Sequence, residues 1–266
     1  MMGDLTVWVV DNGSRSEEKR GLRALCGTHG AQLIQMSGNH GFGAACNVGC
    51  LMTRQPYTLF LNPDARATPD ALRAALARME NDSEIGILGV RLTREDGSHD
   101  HAMKRADPTI INSAFYLAGR ERFLHRLGGR TYSALHVHPM GKGIVDAVNG
   151  AFMLCRTEAL EAVGGFDTRY WMYAEDLDLC RSVRGIGYKV EYDGTIEAQH
   201  IKHGTTGARR SGRPLQAFYS SMWKYYTKWG RSLLARLGRI PVGAALIILY
   251  LTERLRPRDE VGRSQQ

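Results

Sequence analysis

YTLFLNPDARATPDALRAALARMENDSEIGILGVRL, residues 57–92, carries the reading of the fold. Five mostly apolar residues, 57–61, are closed by Asn62-Pro63-Asp64, which predicts a short strand ending at a turn. Thr68-Pro69-Asp70 supplies a helix start, with Thr as cap and Pro in the first turn, leading into 71–79. A second apolar run, 85–92, predicts the next strand, and Asp96-Gly97 a hairpin-type turn. Upstream the pattern is the same. Residues 5–10 form an apolar run ending at Asp11-Asn12-Gly13-Ser14, followed by a helix over 17–26, a strand over 31–35 and a helix over 44–53. Downstream, residues 98–142 break the rhythm with several histidines and arginines and read as an insertion or lid. The alternation returns with strands at 144–148 and 152–155, a helix at 158–163 stopped by Gly164-Gly165, a helix opening at Glu175-Asp176, and a strand at 188–192. This βαβα order predicts an α/β fold, a mainly parallel sheet with helices on both faces. Beyond Arg213 the chain reads as helical, aromatic and basic, so residues 1–213 are expected to form one domain and 214–266 a helical extension.

The chain has 266 residues, 43% hydrophobic and 23% charged, enough for a substantial core. Cys26, Cys46, Cys50, Cys155 and Cys180 show no CxxC spacing and read as reduced core thiols, in keeping with a cytoplasmic protein. The first residues lack the basic stretch and long apolar run of a signal peptide. The net charge of +8 is concentrated late in the chain, where basic residues far outnumber Glu253, Asp259 and Glu260. There they are mixed with Trp223, Tyr225, Tyr226 and Trp229, a composition that suits an anionic membrane surface; no nucleic-acid motif accompanies it. The apolar run 242–251 is too short to span a bilayer, which takes about 20 residues.

Open α/β sheets bind ligands beyond the carboxyl ends of their strands. Asp11-Asn12-Gly13-Ser14, Asn62-Pro63-Asp64 and His200 fall at such ends, and Glu175-Asp176 opens a helix. Asp64 suits a hard divalent cation bridging two phosphates; the same tripeptide also makes an ordinary turn. Asn39-His40-Gly41-Phe42-Gly43 is a glycine-rich loop of the kind that brings backbone N–H groups to phosphates, or simply one that allows close packing. An ionised Asp176 in a cleft can accept a proton from a hydroxyl, although acids in a first turn also serve only the helix dipole. His200 and His203 become ligand candidates if Asp64 is nearby.

In order the chain reads VVDNGS (9–14), NHGFGAACNVG (39–49), LFLNPDA (59–65), VNGAFMLCRTEALEAVGGFD (148–167), WMYAEDLDLCRSVRGIGYKV (171–190) and HIKHGTT (200–206). This series closely resembles the family 2 inverting glycosyltransferases of the GT-A fold, a Rossmann-like arrangement, and within them the rhamnosyltransferase-like group. The resemblance implies that Asp11, with Asn12 and Ser14, meets the nucleotide base, and that Asn39, Gly41 and Asn47 line the nucleotide site. It implies that Asn62 and Asp64 stand at the metal motif, with Asn62 in place of its first Asp, and that Gly150 and Ala151 lie beside the donor sugar. Asp176 stands at the catalytic base with Glu175 adjacent, and His200 at a late metal-binding histidine. The implied reaction moves a sugar, rhamnose by overall likeness, from a nucleotide-diphosphate donor to a hydroxyl of a polyprenyl-diphosphate-linked or glycan acceptor. It inverts the anomeric centre, uses Mg2+ or Mn2+, and serves cell-envelope polysaccharide synthesis. The donor would be dTDP-rhamnose or a UDP-sugar. The aromatic and basic stretch 218–226, with 240–256, would hold the protein peripherally on the inner face of the cell membrane. Family members carry another strand and helix before the segment matched by residues 5–14, which opens an alternative: a truncated, non-catalytic relative that binds sugar nucleotides or membranes.

Overall fold

The structure is a computed structural model that describes residues 5–201 and 211–255. It begins β1 (Trp8–Asp11), α1 (Ser16–His29), β2 (Gln32–Gln35), α2 (Phe42–Cys50), β3 (Tyr57–Leu61), β4 (Ala65–Ala67), α3 (Pro69–Glu80) and β5 (Ile85–Thr93). There follow β6 (Lys104–Arg105), α4 (Ile110–Leu117), α5 (Glu121–Arg126), β7 (Lys142–Ile144), β8 (Ala147–Val148), β9 (Phe152–Arg156) and α6 (Thr157–Val163). The chain continues through α7 (Glu175–Gly185), β10 (Lys189–His200), α8 (Gly212–Trp229), α9 (Leu233–Leu237) and α10 (Arg239–Leu255). His203 and residues 202–206 of the last motif lie outside the described residues.

The alternation seen in the sequence produces the α/β fold expected. A six-stranded sheet runs β3-β9-β5-β10-β4, with β7 also on β10. β3 and β5 each run antiparallel to β9, and β5 runs parallel to β10, so β3, β5 and β10 share one direction. β4 and β7 are antiparallel to β10. β1 and β2 form a separate parallel pair, and among the described residues no strand joins them to the larger sheet. Residues 85–90 of β5 are all buried, which requires cover on both faces. α3 and α7 both pack on β5 and β10. Helix α3 starts as its sequence dictates: Thr68 Oγ1 accepts the Ala71 N–H at 3.1 Å and Pro69 occupies the first turn, leaving Ala71, Ala75 and Met79 buried.

Two segments gain detail from the tertiary structure. Residues 98–142 do more than cover the sheet: Lys104 and Arg105 are buried, and Lys104 Nζ donates to the carbonyls of Ser133 and Ala134. Helix α8 is packed on the domain through Leu215, Ala217, Ser221 and Tyr225, and Lys228 and Trp229 both donate to Asp178 at 2.7 Å. The loss of burial comes later, in α10, which has no buried residue. Among the described residues no helix is long and apolar enough to cross a membrane.

Candidate active site

The end of β3 turns sharply because Asn62 N–H donates to the Ala151 carbonyl at 3.0 Å and Ala65 N–H returns to the Asn62 carbonyl at 3.0 Å. The turn presents Asp64, whose side chain is 25% exposed, to His200 at the end of β10; Nε2 and Oδ1 are 3.3 Å apart. The Ile201 N–H donates to the Asp64 carbonyl, so the two strand ends are tied by backbone as well. His200 Nδ1 lies 2.9 Å from Asp100 Oδ2, a buried carboxylate in the loop after β5. With a cation between His200 and Asp64, that contact would hold the proton on Nδ1 and free Nε2 for the ion.

The donor set suits a hard divalent cation. Ligands at about 2.1 Å on neighbouring octahedral positions lie ~3.0 Å apart, close to the separation found. Asn62 Oδ1 is buried without a hydrogen-bond partner among the described residues, as expected of an oxygen that waits for a ligand. No cluster of three or more His, Cys, Asp and Glu suited to a metal occurs among those residues. A cation held here therefore takes its other ligands from water and phosphate, as Mg2+ ordinarily does.

Asp176 reaches the same region through the backbone of residues 149–151. Its Oδ2 accepts the Gly150 N–H at 3.2 Å and the Arg105 guanidinium at 2.6 Å, and its Oδ1 accepts the Leu177 N–H at 2.8 Å. One acceptor position on Oδ1 thus remains for a hydroxyl. Because Ala151 also bonds Asn62, a continuous hydrogen-bonded run joins the two carboxylate centres. A Cβ at Gly150 would lie 3.2 Å from the Phe42 ring and 3.7 Å from Asp176 Cβ, so this position has little room for a side chain.

Helix α7 holds its acids for different purposes. Asp178 is buried and bonded to Tyr170, Lys228 and Trp229, fastening α8. Glu175, 8% exposed, has a buried Oε2 with no partner among the described residues. Burial first, and the Asp176 charge second, push its carboxyl up to about 8. Just before them Tyr173 and Ala174 both adopt left-handed backbone, φ 68° and 64°. Consecutive non-glycine residues in that region cost about 1–3 kcal/mol each and persist where packing dictates them.

The nucleotide-side candidates form a second group. Asp11 is buried and accepts from the Ser14 N–H at 2.8 Å and from Gln35 at 3.3 Å. Burial acts to raise its pKa, but these hydrogen bonds outweigh it and the carboxyl stays below its ordinary value. Asn12 staples the turn to the glycine loop, donating to the Gly41 carbonyl at 3.0 Å and accepting the His40 N–H at 3.0 Å. Asn39 Oδ1 accepts the Gly41 N–H. Gly41 has φ 98°, and a Cβ there would sit 2.3 Å from the Trp171 carbonyl oxygen, so only glycine fits. Phe42 N–H then donates to that carbonyl, joining this loop to the segment before Asp176. Asn47 is engaged at both ends by Phe166, 2.8 Å from Nδ2 to the carbonyl and 2.8 Å from the N–H to Oδ1, and so pins α2 to the Gly165 turn. Sequence reasoning did not find Arg105 or Asp100; each lies in or beside the irregular stretch 98–142, where no period marks a buried position.

A family model described as Glycosyl transferase family 2 matches residues 2–160. The rhamnosyltransferase WbbL of Escherichia coli K12 is 26% identical over 225 residues, covering 81% of this chain and 78% of its own. An N-acetylglucosaminyl-diphospho-decaprenol L-rhamnosyltransferase of Mycobacterium tuberculosis is 25% identical over 245 residues, covering 86% and 78%. Among solved structures, a mannosyltransferase of Pyrobaculum calidifontis in complex with GDP-Man and Mn2+ superposes with a TM-score of 0.56 at 17% identity. The chain covers 93% of itself and 66% of that structure. GalNAc-T7 with UDP, GalNAc and Mn2+ gives 0.58 at 12% identity, with 97% of this chain and 46% of the other covered. The likeness bears out the expected GT-A fold.

Proposed function

The chain belongs to glycosyl transferase family 2, and from that premise we propose that it moves a sugar, rhamnose, from a nucleotide-diphosphate donor to a hydroxyl of a lipid-linked acceptor with inversion. The observation that carries this reading is the hydrogen-bonded run Asn62–Ala151–Gly150–Asp176, which couples a phosphate-side carboxylate region to a second carboxylate with an acceptor position to spare. Asp11 and the 39–41 loop would receive the nucleotide. Asp176 would take the proton from the acceptor hydroxyl as that oxygen attacks the anomeric carbon, and Arg105 and the Gly150 N–H would hold the carboxylate in place. Asp64, His200 and Asn62 would hold Mg2+ or Mn2+, which when bound neutralises charge on the departing diphosphate. The sugar and acceptor follow from what the bacterial relatives are named for. α10 and the basic residues near it would keep the protein on the inner face of the cell membrane.

The reading is tested by incubating the chain with dTDP-rhamnose or UDP-sugars, Mn2+ and an N-acetylglucosaminyl-diphosphoryl-polyprenol acceptor, following free nucleotide. Acceptor-dependent release is expected. Donor binding without release under every combination would reject it in favour of a non-catalytic sugar-nucleotide-binding protein, a second reading favoured by the separation of the β1–β2 pair from the larger sheet.

Asp100 gives a sharper check of the metal arrangement. In Asp100→Asn the amide can donate to His200 Nδ1, which moves the ring proton to Nε2 and closes the lone pair that would meet the ion. Mn2+ affinity, read by the electron paramagnetic resonance signal of free ion, is expected to fall about 10–100-fold. An unchanged titration would show that Asp100 does not set the ring for the ion.

A further inference from the structure

Helix α4 is inside out. Its buried residue is Asn112, while Ile110, Ile111, Tyr116 and Leu117 are 57%, 66%, 43% and 65% exposed. Helix α5 continues the pattern: Leu124 turns inward, and Phe123 and Leu127 are 55% and 68% exposed. Phe115 stacks on Phe123 with ring centroids 6.4 Å apart, so the patch runs across both helices. An apolar surface of this kind marks an interaction site on a soluble body.

The charge around the patch has one sign. Arg120, Arg122, His125 and Arg126 are exposed, and the single acid of the hairpin, Glu121, turns inward to accept from the Ser133 N–H and hydroxyl. A two-fold dimer through this face would set the same arginines against one another, because a symmetric interface repeats one patch on both copies. Phosphate-bearing lipid meets both halves of the surface: acyl chains receive the apolar side chains and headgroups receive the guanidinium groups.

The hairpin also adjoins the candidate active site. Ile110 follows Arg105 by five residues, the Tyr116 ring rests on Tyr132 at 5.0 Å, and Tyr132 lies within interaction range of Arg105, the partner of Asp176.

We propose that the α4–α5 hairpin is a second membrane-docking surface, separate from α10, which lies on an anionic bilayer and turns the Asp176 side of the cleft toward the lipid surface. The orientation toward an acceptor rests on the transferase reading; the docking itself does not.

The test is co-sedimentation of the full chain with phosphatidylcholine vesicles, with and without about 30% phosphatidylglycerol. Two variants leave α10 intact: Ile111→Ser/Leu117→Ser/Phe123→Ser removes apolar contact, and Arg120→Glu/Arg122→Glu/Arg126→Glu reverses the charge. All six side chains are exposed, so thermal midpoints are expected to hold. Each variant is expected to lower partitioning onto the anionic vesicles by about tenfold or more, the charge variant showing most of its loss at low salt. Wild-type partitioning in both would overturn the proposal. So would sedimentation velocity without lipid showing a wild-type dimer that the apolar variant abolishes, since a second copy would then be the occupant. Vesicle binding through the hairpin in a chain that releases no nucleotide would uphold docking and count against the transferase reading alone.

Discussion

Asp176→Asn is expected to lose turnover by about 10²–10⁴-fold, the usual worth of a positioned general base, while binding the donor nucleotide as the wild type does. It is also expected to unfold earlier. The Arg105 and Asp176 side chains are 9% and 11% exposed, and removing one charge from such a pair leaves the other buried alone, at about 3–5 kcal/mol. Arginine keeps its proton at any ordinary pH, so in the variant the buried guanidinium stays charged without a counter-ion, with the Val148 carbonyl as its remaining described hydrogen-bond partner. The two effects can be separated. Arg105→Gln/Asp176→Asn replaces the ion pair with neutral groups and is expected to recover part of the stability and none of the turnover. Thermal unfolding beside nucleotide release reads both. Near-wild-type release by Asp176→Asn would remove Asp176 from the chemistry, and a double variant as unstable as the single one would show that the pair is not coupled.

The stability deficit has a pH signature, through Glu175. Its folded pKa is raised above its unfolded value of 4.5 to about 8, so the folded chain holds a proton that the unfolded chain releases in between. Stability therefore falls as pH rises through that window, by about 1.4 kcal/mol per unit for a fully shifted group. Asp176 is the second cause of the shift after burial, and its neutralisation narrows the window. The gap between wild type and Asp176→Asn is then expected to be widest near about pH 5 and to shrink toward about pH 9.

Asp64→Ala is expected to abolish the gain in donor affinity that Mn2+ provides, bringing the dissociation constant at least ~30-fold upward to its metal-free value. Stability is expected to change little, because the side chain is partly exposed and makes its described contact with His200 alone, while its backbone tie to Ile201 remains. The contrast with Asp176 is itself informative: one carboxylate is expected to matter to a ligand, the other to both ligand and fold. Calorimetry with and without Mn2+ decides it; a metal effect preserved in the variant would place the cation elsewhere.

Much of the scaffold was legible residue by residue. Thr68-Pro69 capped α3 as written, the run at 57–61 made β3, and Gly164 ended α6 with φ 77°. Those features are local: a cap, a fixed φ, an alternation of apolar positions. Motif order likewise pointed to the family, and Asn62, Asp64, Gly150, Asp176 and His200 come together through strand ends and one shared backbone segment. For Asn47 the structure adds what a motif does not carry: its amide is engaged by Phe166 and helps shape the turn beside α2.

The sequence by itself determined an α/β chain of family 2 with its acids at strand ends and a helix start, because periodicity, caps and turn residues act over a few neighbours. Only the tertiary structure decided that Arg105 holds Asp176, that Asp100 sets the His200 ring, and that α4 faces outward. Each of these joins residues 71 or 100 positions apart, or depends on which face the rest of the molecule leaves uncovered. Such contacts arise from desolvation and charge pairing in the packed chain, and no short-range pattern records them.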